Sequence, residues 1–152
     1  MLLADVNALL YAHRPESPRF EEHRAWLQAA RSGVGKLISA NSGRNSGHHG
    51  MMFSGQSGLG KTTLCKALMK SVFNSYRAQF PFYAESQRVP IVYVEVPTGS
   101  TPKLLMAAFA RFFGLTPTRA ETMDSIQHRV VSALNDGRTQ FVVVDELQNL
   151  CA

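Results

Sequence analysis

The sequence contains few of the residues that stabilise small secreted domains or carry a chain across a membrane. Its 152 residues include only two cysteines, Cys65 and Cys151, and these supply neither a disulfide framework nor the spacing of a metal site. No run of about 18 apolar residues occurs, so a membrane span is not expected. The first residues carry an acid, Asp5, and no basic segment, which disfavours a signal peptide. We therefore predict a reduced, cytoplasmic protein with no membrane partner.

Acidic residues are also scarce. The 11 Asp and Glu stand against 16 Lys and Arg, which gives a formal net charge of +5. Bases and acids balance in residues 1–31, so the whole excess lies in residues 32–152. With 45% hydrophobic and 18% charged residues, the composition is that of a globular chain rather than a disordered one. The basic excess is compatible with a polyanionic partner such as a nucleic acid or a nucleotide, and equally with a solvated surface.

The apolar pattern alternates between strands and helices. Apolar, β-branched runs predict strands, and apolar residues three and four apart predict helices. The predicted strands are Leu2–Val6, Met51–Phe53, Pro90–Val96 and Gln140–Val144, and the predicted helices are Glu21–Ala30, Lys61–Phe80, Thr101–Phe113 and Met123–Leu134. Thr101 is a predicted N-cap, and Gly114 and Gly137 are predicted helix ends. Strands separated by helices indicate an α/β fold with a parallel sheet flanked by helices.

Turn-forming residues are concentrated between Ser32 and Gly50. This stretch holds five glycines, four serines and two asparagines, a composition that predicts a loop or linker. Only Lys36–Ala40 could form a short element within it. The predicted organisation is therefore an N-terminal fragment over residues 1–31, a linker over 32–50 and a core over 51–152.

Residues 55–62 match the pattern Gly-x-x-x-x-Gly-Lys-Ser/Thr at every fixed position. Glycines let such a loop curl with its backbone N–H groups inward, and the helix that follows adds its positive N-terminal dipole. Lys61 can reach the β- and γ-phosphates, and Thr62 can offer its hydroxyl to Mg²⁺. A glycine-rich turn that matches by chance is the alternative. The predicted nucleotide-binding residues are Gly55, Gln56, Ser57, Gly58, Leu59, Gly60, Lys61, Thr62 and Thr63.

The last predicted strand ends in two acids, Asp145 and Glu146. A short apolar run of this kind is typical of a buried parallel strand, whose carboxyl end lies where ligands bind. There Asp145 can hold Mg²⁺ through water, and Glu146 can polarise the attacking water as a general base. Taken alone, the pattern fits equally well a strand that ends in two solvated acids. The phosphate-loop match upstream favours the nucleotide site.

Together, Gly55–Thr62 and Val142–Glu146 resemble the Walker A and Walker B motifs of AAA+ ATPases, in which a catalytic Glu follows the Walker B Asp. The segments Pro90–Pro97, Thr101–Leu105 and Val143–Leu150 look like those of the TniB/TnsC group of transposition ATPases, and the resemblance covers residues 33–152. It implies an ATP-dependent regulator that couples target choice to a transposase. The motif itself does not distinguish ATP from GTP, so ATP follows from the resemblance alone.

The same resemblance implies the cofactors, the partners and the roles of the site residues. The cofactors are ATP and Mg²⁺. Lys61 and Glu146 are the implied catalytic residues, and Thr62 and Asp145 the implied Mg²⁺ ligands. DNA, a transposase and further copies of the chain are the implied partners.

The AAA+ resemblance further implies elements that follow the Walker B strand. These are a sensor strand between the two Walker strands, a second sensor, an arginine finger and a helical lid. Because the sequence ends at Ala152, an incomplete core with only nominal hydrolysis is expected. An unfilled position in the sheet would leave backbone groups unpaired, and Leu2–Val6 is a candidate strand to fill it.

The first thirty residues resemble a different family. Leu2–Ala12, with His13–Pro15 and Ala25–Leu27, look like the opening strand and helix of VapC-like PIN-domain ribonucleases, which implies that Asp5 is a metal ligand. Such a site needs several carboxylates on one or two metals, and no later motif supplies them. Asp5 as a leftover polar residue near a strand end is the alternative. For the whole chain, a PIN-like ribonuclease toxin and a non-catalytic interaction fragment are the alternatives to an ATPase.

Overall fold

A computed structural model describes Glu16 and residues 20–42, 48–53 and 61–151 of the chain. The helices are α1 (Phe20–Asn41), α2 (Lys61–Gln79), α3 (Pro102–Phe112) and α4 (Met123–Asp136), and the strands are β1 (Ile91–Glu95) and β2 (Phe141–Asp145), followed by a 3₁₀ helix at Leu147–Asn149. The chain divides into two compact units, residues 1–75 and 76–152. In the described part, no helix is both long and apolar enough to cross a membrane. The predicted strand Leu2–Val6 lies outside the described residues.

Helix α1 confirms the predicted helix over Glu21–Ala30 and continues to Asn41. The prediction of a loop from Ser32 onward is therefore wrong for its first ten residues, 32–41. Leu27, Ala30 and Val34 are buried at helical spacing, and this packing outweighs the cost of the two helical glycines, about 1 kcal/mol each.

One of these glycines lies close to the segment that precedes the phosphate-loop motif. A Cβ atom at Gly33 would come within 3.2 Å of the Cε atom of Met51, which is closer than most side chains tolerate. The glycine that suggested a linker by composition thus provides a close packing contact for α1.

Residues 48–53 are irregular, so the prediction of a strand over Met51–Phe53 is wrong. A strand needs a hydrogen-bonded partner, and no strand pairs with this segment among the residues that the structure describes. The side chain of Asn41 takes up part of the backbone bonding instead. Its Nδ2 donates to the carbonyl of His49 at 2.8 Å, and its Oδ1 accepts the N–H of His49 at 2.8 Å.

Helix α2 has nearly the predicted bounds. In the first unit it buries Leu64 and Leu68, four residues apart, as the spacing predicted. Beyond the unit boundary the ring of Tyr76 is also buried, and its centroid lies 4.8 Å from that of Phe80 and 6.1 Å from that of Tyr83. The rings of Phe80 and Tyr83, which follow the helix, therefore pack on Tyr76 in its last turn.

Strands β1 and β2 pair in parallel, as predicted, with Ile91 opposite Phe141 and Glu95 opposite Asp145. Helices α3 and α4 cover one face of this pair. The core there is buried and apolar, and consists of Val92, Val94, Phe109, Ala110, Ile126 and Val130. Strand β2 begins and ends one residue later than predicted, so that Asp145 belongs to the strand.

Helix α3 begins and ends as its sequence predicts. The hydroxyl of Thr101 accepts the N–H of Leu104 at 3.4 Å, and Pro102 occupies the first turn. At the other end, Gly114 has a φ of 72°. The N–H of Leu115 donates to the carbonyl of Ala110 at 2.9 Å, the bond that defines a Schellman motif.

Helix α4 ends by the same motif with a different residue in the left-handed position. Gly137 was the predicted helix end, but its φ is −71°, and the left-handed residue is Arg138 with a φ of 50°. Gly137 is needed for space, because a Cβ there would lie 3.3 Å from the Cβ of Val89 and 3.1 Å from the carbonyl oxygen of Ala133. The prediction that α4 ends at Gly137 is confirmed, although the glycine is needed for space and not for a left-handed backbone.

Candidate functional site

Asp145 lies at the carboxyl end of β2 and is only 7% exposed. Each of its two carboxylate oxygens accepts a hydrogen bond. The hydroxyl of Tyr93 donates to Oδ2 at 2.9 Å, and the backbone N–H of Glu146 donates to Oδ1 at 2.9 Å. These two donors fix the plane of the carboxylate at the edge where parallel sheets bind their ligands.

Glu146 follows with a left-handed backbone, φ 57° and ψ 35°. This conformation is uncommon for any residue except glycine, and it costs roughly 1–3 kcal/mol when the surrounding structure imposes it. Here it ends β2 and starts the 3₁₀ helix. The carboxylate of Glu146 is half-buried and accepts a short hydrogen bond from Nε2 of Gln148.

The residues after Glu146 are tied to the loop that precedes α3. Nδ2 of Asn149 donates to the carbonyl of Val96 at 2.9 Å, and the N–H of Ser100 donates to the carbonyl of Asn149 at 3.1 Å. The N–H of Cys151 donates to the carbonyl of Ser100 at 2.8 Å. Glu146 is therefore held on one side by β2 and on the other by a segment with its own fixed partners.

Lys61 and Thr62 are the first two residues of α2, and both are half-buried, whereas Thr63 is exposed. The first N–H groups of a helix and its dipole favour anions at this end. The six preceding residues of the motif, Gly55–Gly60, lie outside the described residues. Lys61 and Thr62 belong to the first compact unit, and Asp145 and Glu146 to the second.

The oxygen atoms of Thr62 and Asp145 are of the kind that binds Mg²⁺. Mg²⁺ prefers oxygen ligands, and in nucleotide sites it is held by one or two protein groups together with phosphate oxygens and water. The Asp145 carboxylate and the Thr62 hydroxyl could each serve as such an oxygen ligand. No group of three or more His, Cys, Asp or Glu residues that could hold a metal occurs within the described ranges. Asp5, the predicted PIN-like ligand, lies outside them.

Comparison with known families agrees with the fold. The family model described as AAA domain matches residues 44–152, which is well over half of the chain. The chain therefore belongs to the AAA domain family. Membership supports a P-loop α/β fold and, in general, a nucleotide-binding ATPase that uses ATP with Mg²⁺. No curated protein and no solved structure was found to match the chain.

Sequence reasoning missed three of the residues that surround the acid pair: Tyr93, Gln148 and Asn149. Alternation along β1 puts Tyr93 and Glu95 on one face, but the sequence does not reveal the register that pairs Glu95 with Asp145. The contacts of Gln148 and Asn149 depend on the left-handed turn at Glu146. The sequence does not predict this turn, because Glu is not a residue type that favours a left-handed backbone.

Proposed function

We propose that the chain binds ATP together with Mg²⁺ and hydrolyses it. The observation that carries this proposal is the buried Asp145 carboxylate at the carboxyl end of β2, with a donor on each oxygen. Membership of the AAA domain family supports it independently.

Each site residue has a separate role in this proposal. Lys61 contacts the β- and γ-phosphates, where its ammonium balances negative charge. Thr62 and Asp145 supply oxygen ligands to Mg²⁺, and Glu146 takes a proton from the attacking water. Bound Mg²⁺ would supply neutralisation of the phosphate charge. The loop residues Gly55 to Gly60, followed by Thr63, complete the nucleotide contacts.

Replacement of the phosphate-loop lysine tests the proposal. Lys61→Ala is expected to weaken Mg²⁺-dependent binding of a fluorescent ATP analogue by about 10–100-fold, because a charge-assisted contact to phosphate is lost. Lys70→Ala is the matched control, since Lys70 is an exposed lysine on the same helix, and it should bind like the wild type. Equal binding by the Lys61→Ala and wild-type proteins would contradict the proposal, provided that circular dichroism shows both to be folded.

We propose more specifically that the chain is a regulator of the TniB/TnsC transposition type. Support comes from the resemblance of Pro90–Pro97, Thr101–Leu105 and Val143–Leu150 to that group, and from the net charge of +5. The partners in this proposal are duplex DNA, a transposase and further copies of the chain. We expect the protein to retain duplex DNA only when ATP is present, and we expect this binding to weaken steeply as the salt concentration rises. Retention that does not depend on ATP would contradict this role and leave the nucleotide site in place.

A further inference from the structure

The hydroxyl of Tyr93 donates a hydrogen bond to the carboxylate of Asp145. Tyr93 lies in the middle of β1, opposite Val143, and two residues further along Glu95 lies opposite Asp145. Paired residues of parallel strands face the same side, and side chains alternate along each strand. The phenol ring of Tyr93 therefore projects on the face of Asp145, and its hydroxyl reaches the Oδ2 oxygen at 2.9 Å.

The two donors on Asp145 differ in how they are anchored. The N–H of Glu146 belongs to the backbone and comes from the next residue, so no side-chain substitution removes this donor. The hydroxyl of Tyr93 comes from the neighbouring strand, 52 residues away in sequence. The backbone donor acts on Oδ1, and the hydroxyl of Tyr93 adds a separate restraint on Oδ2.

We propose that Tyr93 is a positioning residue for Mg²⁺, which orients the Asp145 carboxylate toward the cation that accompanies the nucleotide. The inference rests on the proposed function, because it assigns Asp145 the metal-holding role. Groups that orient a metal ligand by hydrogen bonding commonly change metal affinity by about 10–100-fold when removed. Tyr93 acts only through Asp145 in this assignment and makes no contact with the phosphates.

The test is a Mg²⁺ titration of fluorescent ATP binding by the Tyr93→Phe protein. Removal of the hydroxyl is expected to raise the Mg²⁺ concentration at half-saturation by about 10-fold, while nucleotide binding in EDTA stays within about twofold of wild type. Tyr76→Phe is the matched control. Tyr76 is another tyrosine with a hydrogen-bonded hydroxyl, but its partner is Nη1 of Arg88, at 3.3 Å, and its removal should leave the Mg²⁺ midpoint unchanged.

A double-mutant cycle separates positioning from general stability. In an Asp145→Asn protein the carboxylate is gone, so the further change Tyr93→Phe should not move the Mg²⁺ midpoint. Phenylalanine is a good strand residue, and the fold should persist. A Tyr93→Phe protein that unfolds under conditions where Tyr76→Phe is folded would overturn the inference in favour of a structural hydrogen bond.

The remaining outcomes also decide the question. An unchanged Mg²⁺ midpoint for Tyr93→Phe, in a protein whose ATP binding is weakened by Lys61→Ala, would overturn the inference and leave the proposed function standing. Equal weakening in Mg²⁺ and in EDTA would show a role other than cation positioning. A wild-type protein that binds no Mg²⁺-nucleotide would overturn the proposed function and the inference together.

Discussion

Two adjacent carboxylates follow the last apolar residue of β2, and their surroundings differ. Asp145 is buried and has a donor on each oxygen, whereas Glu146 is half-buried and accepts a hydrogen bond from Gln148. A metal ligand benefits from a fixed orientation, and a general base needs access to water. Burial and hydrogen bonding are therefore compatible with the division of roles proposed for the pair.

Glu146→Gln should separate nucleotide binding from hydrolysis. Glutamine keeps the size of the side chain but cannot accept a proton from water, so phosphate release at saturating ATP is expected to fall by about 10²–10⁴-fold. Binding of Mg²⁺-ATP should be retained. Glu95→Gln is the control, because Glu95 is an exposed acid opposite Asp145 at the end of β1. Phosphate release that persists in Glu146→Gln, or that falls equally in both variants, would argue against Glu146 as the base.

At the residue scale, the sequence predicted where the acidic residues lie along the chain's elements better than it predicted their contacts. The positions of Asp145 and Glu146 at a strand end follow from four apolar residues and two acids. The contact between Tyr93 and Asp145 depends on strand register across 52 residues, and an apolar pattern fixes which face a residue takes without fixing its opposite neighbour.

The ends of α3 and α4 show how one capping motif is built from different residues. Both helices close with a left-handed residue, Gly114 after α3 and Arg138 after α4. The left-handed region costs a residue with a side chain roughly 1–2 kcal/mol and costs glycine almost nothing. The helix end of α4 is therefore the strained one of the two.

Substitutions at Gly114 and Arg138 should change the free energy of unfolding in opposite directions. Gly114→Ala is expected to lower the free energy of unfolding by roughly 1–2 kcal/mol, and Arg138→Gly to raise it by up to about 1 kcal/mol. Thermal unfolding followed by circular dichroism measures both, and each is the control for the other. A shift in the same direction for the two variants would contradict this account of the helix ends.

A network of side chains joins the start of α4 to the turn before it. The carboxylate of Glu121 accepts the backbone N–H of Thr118 at 2.9 Å and pairs with the guanidinium of Arg129 at 2.8 Å. The N–H of Thr118 contributes most, and Arg129 next, to holding the pKa of Glu121 below its ordinary value. Both contacts favour the ionised carboxylate.

This network makes part of the stability depend on pH. Because the pKa of Glu121 is lowered in the folded state, its contribution is present above the ordinary pKa of a glutamate. That contribution is lost as the pH falls through the lowered value. Glu121→Gln should therefore lower the unfolding temperature at neutral pH and have a smaller effect in acid. Glu85→Gln, at an exposed acid on the same unit, should shift the unfolding temperature at neither pH.

At the scale of the whole molecule, local patterns predicted the elements from Lys61 onward better than those of the described residues before it. The order of helices and strands from Lys61 onward, and the parallel pairing of β1 and β2, agree with the sequence. The composition of Ser32–Asn41 predicted a loop, yet these residues continue α1, and the side chain of Val34 is buried there. Burial depends on distant neighbours, and composition measures only local preference. The PIN-like assignment of Asp5 and the three-part domain organisation remain predictions.

The paired hydrogen bonds between Asn41 and His49 have a practical consequence for protein engineering. They hold residues 41 and 49 together through a single side chain, so this closing contact does not depend on the residues between them. The entropy of bringing two chain positions together grows only slowly with the number of residues between them, by about 0.6 kcal/mol for each doubling. A reporter peptide inserted between Ser42 and His48 would therefore cost little free energy, provided that Asn41 is kept.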